Sequence, residues 1–458
     1  MEYDIVAVGH SLSVLVTSAI LAKNGKKTLY IPMESQEQEE RKLWNQYECL
    51  RHHFDIQGGV FQSLLEELDI SSLEFDTPPY HYQIQIGDFV RNVPTKWKDY
   101  FEVLVETFPE EEDQLFEFFE LVRNVAIEWE HMITSPKRMG FREMQNIIRL
   151  KDVRYVEYIQ TKFKTALLQD TLCIDVPYSE ISFVAMAGYL MQIFHSSRIK
   201  GGYNKLKNVF TVIIKENGGE IWQEKSLEID MVKRRIVEKR LQDTLDVKSS
   251  IWLVDYDKST YHDTFMVDAE FNSELQNRCS NVIVFLQCKY ERQMDEMVSC
   301  IKFSPHGKIV SQLRDIEQGN TIEEYPFTLY TLGEKQEDKT YEYVMVIPVN
   351  QNSNSALVTR IVRESILRIE EKFKSQKLHI TKRRIFNQLE IQESLHLYRG
   401  IQSHWAYSPE EMKKNPVNKM GVYEDLYMLG DWGEAFIPCS INVSRRILGN
   451  GLIDGKEQ

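Results

Sequence analysis

The sequence predicts an α/β protein in which a Rossmann-like nucleotide-binding domain is interleaved with a second domain of mixed sheet and helix. Three stretches carry that prediction. Residues 3–31 pattern as strand, turn, helix, strand. Residues 200–222 pattern as a glycine pair, a helix, a turn and a returning strand. Residues 425–448 pattern as a strand ending in Gly430-Asp431, followed by a helix.

In the first stretch, Ile5, Val6, Ala7 and Val8 make the short apolar run of a buried strand, and Gly9 breaks it. Leu12, Leu15, Val16, Ala19, Ile20 and Ala22 then recur at helical spacing until Asn24-Gly25 stops the helix. Strand character resumes at Thr28 and runs to Ile31. Such a βαβ opening aims backbone N–H groups and a helix N-terminus at a pyrophosphate. The three fingerprint glycine positions of a dinucleotide site fall on Gly9, Ser11 and Val14, and the acidic ribose-binding position falls on Pro32, with Glu34 two residues on.

His52, His53 and Asp55 precede Gly58-Gly59, a glycine pair suited to a close backbone approach, and a helix carrying Phe61, Leu64, Leu65 and Leu68 follows. Tyr80, Tyr82, Ile84 and Ile86 alternate up to a hairpin turn at Gly87-Asp88. Pro109 and Glu110-Glu111-Glu112 suit the first turn of a helix over 113–132, whose face is Leu115, Phe118, Phe119, Val122 and Ala126. Residues 149–193 pattern as largely helical. Gly201-Gly202 suits either a close approach of backbone donors to a bound group or a tight loop whose only job is geometry, with Asn204 expected to help cap the helix behind it. Strand patterns recur at 227–232, 251–254, 264–267, 281–288 and 341–349, with polar, turn-rich sequence between the last two. Residues 355–373 pattern as a helix and 378–389 as a strand with its continuation. His404, among Trp405 and Tyr407, is a candidate proton-exchanging side chain. Asp431 is placed to meet a ribose or ribityl hydroxyl, with the following helix near a phosphate.

Length and composition bound the function. A chain of 458 residues exceeds a single simple core. A formal charge of -14 argues against nucleic acid or an anionic membrane as principal partner. Six cysteines without a CxxC pair fit free thiols in a cytoplasmic protein, and no cysteine/histidine cluster has zinc spacing. No apolar run approaches the ~20 residues of a transmembrane helix, and the first strand begins too early for a signal peptide.

The sequence resembles the two-domain flavoprotein superfamily of phytoene desaturases, carotenoid-modifying enzymes and amine oxidases, with flavin-free Rab GDP-dissociation-inhibitor relatives. YDIVAVGHSLSVLVTSAILAKNGKKTLYI is similar to the opening unit and FDIQGGVFQSLLEELDI to the loop and helix on the isoalloxazine side. ETFPEEEDQLFEFFELV resembles the cap region, GGYNKLKNVFTVIIKENGGEI the internal glycine-pair motif, and DLYMLGDWGE the closing FAD motif. The resemblance implies FAD as cofactor, with Gly9, Ser11, Gly58, Gly59, Gly201, Gly202, Gly430 and Asp431 around it, no assigned catalytic residue and no metal. It implies an FAD-binding domain over 1–75, 196–275 and 401–458, and a substrate domain over 76–195 and 276–400. The expected activity is oxidation of an apolar or amine-containing small molecule. The alternative is a flavin-free accessory protein that binds a lipid, an isoprenoid or a protein partner. Ser11, Val14, Pro32 and the glycine-free segment FIPCSINVSRRIL depart from the family pattern.

Overall fold

A computed structural model describes residues 1–9, 11–32, 47, 54–55, 59–134, 140–222, 227–230, 235–238, 243–245, 247–255, 279–290, 299–335, 340–395, 408–410, 421–423, 426–429 and 436–449. Two large sheets organise them. The first has the order β18-β19-β12-β1-β2-β8, built from β1 (Glu2–Val8), β2 (Thr28–Ile31), β8 (Glu220–Ile221), β12 (Lys248–Asp255), β18 (Gly421–Tyr423) and β19 (Leu426–Leu429). All its pairings are parallel except β18 with β19. Ile5, Val6, Ala7 and Val8 are fully buried, as a parallel strand covered on both faces requires.

Helix α1 (Leu12–Lys23) crosses from β1 to β2 and is buried from Leu12 through Ala22, because other helices flank it. A helix apolar on every side belongs in an interior. Its stop is local: the Asn24 side-chain amide donates to the Ile20 carbonyl at 2.8 Å, and Gly25 takes a left-handed φ of +80°.

After α1 the chain forms α2 (Val60–Glu67), α3 (Trp97–Thr107), α4 (Glu112–Thr134), α5 (Gln145–Leu150), α6 (Tyr155–Lys162), α7 (Ala166–Cys173) and α8 (Phe183–His195). After α8 comes α9 (Gly202–Glu216), then α10 (Ile309–Gln318), α11 (Ser355–Lys372), α12 (Gln388–Leu395) and α13 (Phe436–Ile447). Helix α9 returns the chain to β8, and its Tyr203, Leu206, Phe210, Ile213 and Ile214 face the nucleotide-domain core. At its end, a Cβ on Gly219 would lie 2.6 Å from Ile214 Cγ2 and 2.8 Å from the Ile214 carbonyl oxygen, so only glycine fits that joint.

The second sheet has the order β17-β13-β16-β15-β14-β5-β6. Its strands are β5 (Tyr80–Ile86), β6 (Phe89–Pro94), β13 (Cys279–Tyr290), β14 (Cys300–Ser304), β15 (Phe327–Lys335), β16 (Thr340–Asn350) and β17 (Leu378–Phe386). Only β14 with β5 is parallel, which makes the sheet mixed. One face packs on α10 and α11 through Val284, Leu286, Met345, Ile361 and Ile366. The other, at β5, β6 and β14, meets a helical layer centred on α4, where Phe118 lies among Tyr155, Tyr158, Phe163 and Phe183.

Two smaller three-stranded assemblies complete the description. Strand β7 (Ser196–Ile199) pairs with β3 (Phe54–Asp55) and β4 (Phe75–Asp76), and β10 (Arg235–Glu238) pairs with β9 (Leu227–Asp230) and β11 (Asp243–Leu245). The α/β class with a second mixed-sheet and helical region is thus present. The segment 300–335, expected as polar turns, instead holds β14, α10 and β15. No described helix is long and apolar enough to cross a membrane.

Candidate functional site

The parallel sheet defines where a nucleotide would sit. From β1 the chain runs one way to β2 and β8, then returns to the other side of β1 to form β12 and β19. The crevice outside the carboxyl ends of β1 and β12 is therefore the switch point at which ligands bind in open α/β sheets. Helix α1 begins there. Ser11 is its N-cap: the hydroxyl accepts a hydrogen bond from the Val14 N–H at 3.3 Å, and the first turn has no acidic side chain to oppose an anion.

Gly9 is tied across to β2, its N–H donating to the Ile31 carbonyl at 3.1 Å and its carbonyl accepting from the Tyr30 hydroxyl at 3.1 Å. Val14, in the position where glycine permits close packing, is fully buried within the nucleotide-domain core, so the fold accommodates the larger side chain. A seam of small hydroxyl residues brings α13 against α1. Ser440 Oγ donates to the Ser13 carbonyl at 3.2 Å, while Thr17, Ser18 and Ser444 each satisfy their hydroxyls on their own helix at 2.7 Å.

Two further glycine positions lie at helix starts. Gly59 is the N-cap of α2, which contacts α13. Gly201 is the N-cap of α9, and Gly201 and Gly202 adopt φ of +89° and +76°. No side chain caps α9, so Asn204, expected as its cap, instead lies exposed inside the first turn. Gly58, His404, Gly430 and Asp431 fall outside the described residues.

These residues fit FAD in one half. A helix N-terminus at the switch point, a glycine at the strand end and an unopposed first turn suit a pyrophosphate. The ribose position does not match, because Pro32 follows β2 where a carboxylate would grip the hydroxyls. Pro32→Glu should therefore tighten FAD binding roughly ten- to hundredfold, through a charge-assisted hydrogen bond of about 1.5–3 kcal/mol. Equal affinity of both proteins in an FAD titration would contradict that placement.

A second constellation lies in the helical-layer core. Lys302 on β14 forms an ion pair with Asp175, in the connection between α7 and α8, and the Tyr82 hydroxyl on β5 donates to the other carboxylate oxygen. The Lys302 ammonium lies 4.4 Å from the Tyr82 ring centroid. Its side chain is 13% exposed and that of Asp175 3%. Burial pushes Lys302 down to about 7, while the adjoining carboxylate favours its charged form. Neighbouring His81 is lowered to about 4, first by burial and further by Arg198 and Lys302, against an opposing hydrogen bond with the Thr95 backbone. Burial also raises Cys300 to about 12, which makes it an inert thiol. The sequence carried one signal for this cluster, a lysine interrupting the apolar strand Cys300-Ile301-Lys302-Phe303. Among the described residues no His, Cys, Asp or Glu group is arranged to hold a metal.

No family model matches the chain, and no curated protein matches it by sequence. Solved structures match over nearly its whole length. Cyclohexylamine oxidase from Brevibacterium oxydans superposes with a TM-score of 0.58 at 12% identity, covering 98% of this chain and 99% of that one. Putrescine oxidase bound to putrescine gives a TM-score of 0.55 at 11% identity over 98% and 99% of the two chains. An oxidoreductase from Methanosarcina mazei gives 0.53 at 10% over 97% and 99%. The chain has the fold of amine-oxidase-type oxidoreductases. At these identities the likeness concerns the fold alone, and the choice of ligand rests on this chain's own residues.

Proposed function

We propose that this protein is an FAD-dependent oxidoreductase, desaturase-like or amine-oxidase-like, acting in the cytoplasm on an apolar or amine-containing small molecule. The observation that supports it best is the start of α1 at the switch point of the parallel sheet, capped by Ser11 and free of acidic side chains in its first turn. In this reading Gly9, Ser11, Gly58, Gly59, Gly201, Gly202, Gly430 and Asp431 surround the cofactor. The nucleotide domain comprises residues 1–75, 196–275 and 401–458, and the substrate domain residues 76–195 and 276–400. FAD supplies a hydride acceptor when bound. The chain's part is to bind and orient: backbone amides at α1 hold the pyrophosphate, and the apolar second domain keeps water from the substrate. No side chain is assigned as catalytic base.

Anaerobic mixing of FAD-loaded protein with primary amines and with apolar alkenes tests the activity. Bleaching of the flavin absorbance by one class is the expected result, and an unchanged spectrum with both would contradict it. Pro32 supports a second reading, a flavin-free accessory protein that keeps the architecture to bind an isoprenoid-like molecule, another lipid or a protein partner. That reading gains support if FAD leaves the thermal midpoint unmoved while a long-chain apolar ligand raises it.

A further inference from the structure

We propose that β14 and α10 act as a two-ended key that locks the helical layer onto the seven-stranded sheet, so that layer and sheet move as one body. This goes beyond the catalytic reading and holds whether or not flavin is bound. At the front of α10, the Asp170 carboxylate reaches from α7 to accept hydrogen bonds from the N–H groups of Lys308 at 2.8 Å and Ile309 at 2.9 Å. A helix N-terminus with a carboxylate on its first amides is both capped and electrostatically favoured. At the back, Glu317 in the last turn accepts from the Ser179 N–H at 2.6 Å and the Ser179 hydroxyl at 2.5 Å. Burial raises the Glu317 carboxyl and those hydrogen bonds oppose it. Between the two ends, Lys302 on β14 pairs with Asp175 from the same α7–α8 stretch.

The backbone is shaped for this fit. Gly307 and Lys308 take consecutive left-handed φ values of +69° and +55°, a conformation that costs a non-glycine residue free energy unless the surroundings impose it. A Cβ on Gly307 would lie 2.6 Å from Asp170 Oδ2, so glycine is what lets the carboxylate reach the helix end. A ten-residue helix is about 15 Å long, so its two contacts with one α7–α8 segment are far apart and resist rotation as well as separation. Among the described residues the helical layer also touches the parallel-sheet side through α4 with α13 and through α8 with β3, and the chain crosses there at Gly201 and Gly202.

Hydrogen exchange read by mass spectrometry on the full chain tests the key. Gly307→Ala, which disturbs only the front, should accelerate exchange about tenfold at residues 179–183 as well as at 306–310. Ser179→Ala, a gentler change at the back, should accelerate exchange at 306–310, and it supplies the test on its own if Gly307→Ala does not fold. Acceleration confined to the altered end in either variant would overturn the proposal. Adding FAD to wild-type protein should change protection in 166–183 and 300–318 together or in neither, and a change in one alone would also overturn it. Flavin absorbance in the same samples reports separately on the functional reading.

Discussion

Replacing Asp175 by asparagine should lower the free energy of unfolding by about 3–5 kcal/mol, the cost of stranding a buried charge by removing its partner. Lys302 cannot reach water readily: its side chain is 13% exposed, and it is enclosed by Tyr82 and the helical-layer core. Asparagine keeps the volume and the acceptor for the Tyr82 hydroxyl but not the charge. Asp175→Asn combined with Lys302→Met removes both charges and should recover most of the loss, because a buried pair contributes little net stability over an apolar replacement. Urea denaturation of wild type, both single variants and the double variant gives the coupling directly. A loss below about 1 kcal/mol for Asp175→Asn would mean that water reaches the pair.

Acid should weaken the fold through His81. The ring is 8% exposed and packs edge-on to Phe194, and its pKa is lowered to about 4. Free histidine titrates near 6.5, so the unfolded chain takes up this proton first as pH falls. The sign follows from linkage: the stability associated with neutral His81 is complete above about pH 6.5 and is lost progressively as pH falls toward about 4. The loss is about 3 kcal/mol at the bottom of that window. Denaturation midpoints measured from neutral pH to about pH 4 should therefore decline. His81→Phe, which keeps the aromatic contact and removes the titrating group, should flatten that part of the curve. An identical decline in the variant would assign the acid sensitivity to other groups.

The elements visible in the sequence are those whose signals are local. Helix α1 could be delimited because Gly9 ends one apolar run, helical spacing follows, and Asn24-Gly25 supplies its own stop. The β5–β6 hairpin was marked by Gly87-Asp88 and α4 by Pro109 with its acidic neighbours. Where caps come from distant chain, the sequence was silent. The N-cap position of α10 is Lys308, whose side chain does not cap, and the Asp170 carboxylate from α7 takes that role. The start of α10 is therefore hidden when 300–335 is taken alone. The candidate site divides in the same way. Gly9, Ser11, Gly59, Gly201 and Gly202 lie at strand or helix ends that periodicity locates, whereas Asp175, Lys302 and Tyr82 meet only once three separate elements have packed. Asn204 shows the limit even locally: a capping-type side chain within the first turn of α9 is displaced from that task by two left-handed glycines.

The proposed nucleotide site is half-matched: α1 begins at the switch point with no acidic side chain in its first turn, while Pro32 stands where the ribose carboxylate is expected. The most direct measurement is the visible absorbance spectrum of gently purified protein before and after adding FAD, with the flavin released on denaturation quantified against protein. A flavin band approaching one FAD per chain, present on purification or formed on titration, is the predicted result. No band, together with no spectral or thermal response to saturating FAD, would contradict the flavoenzyme reading and leave the fold to serve as a binding protein.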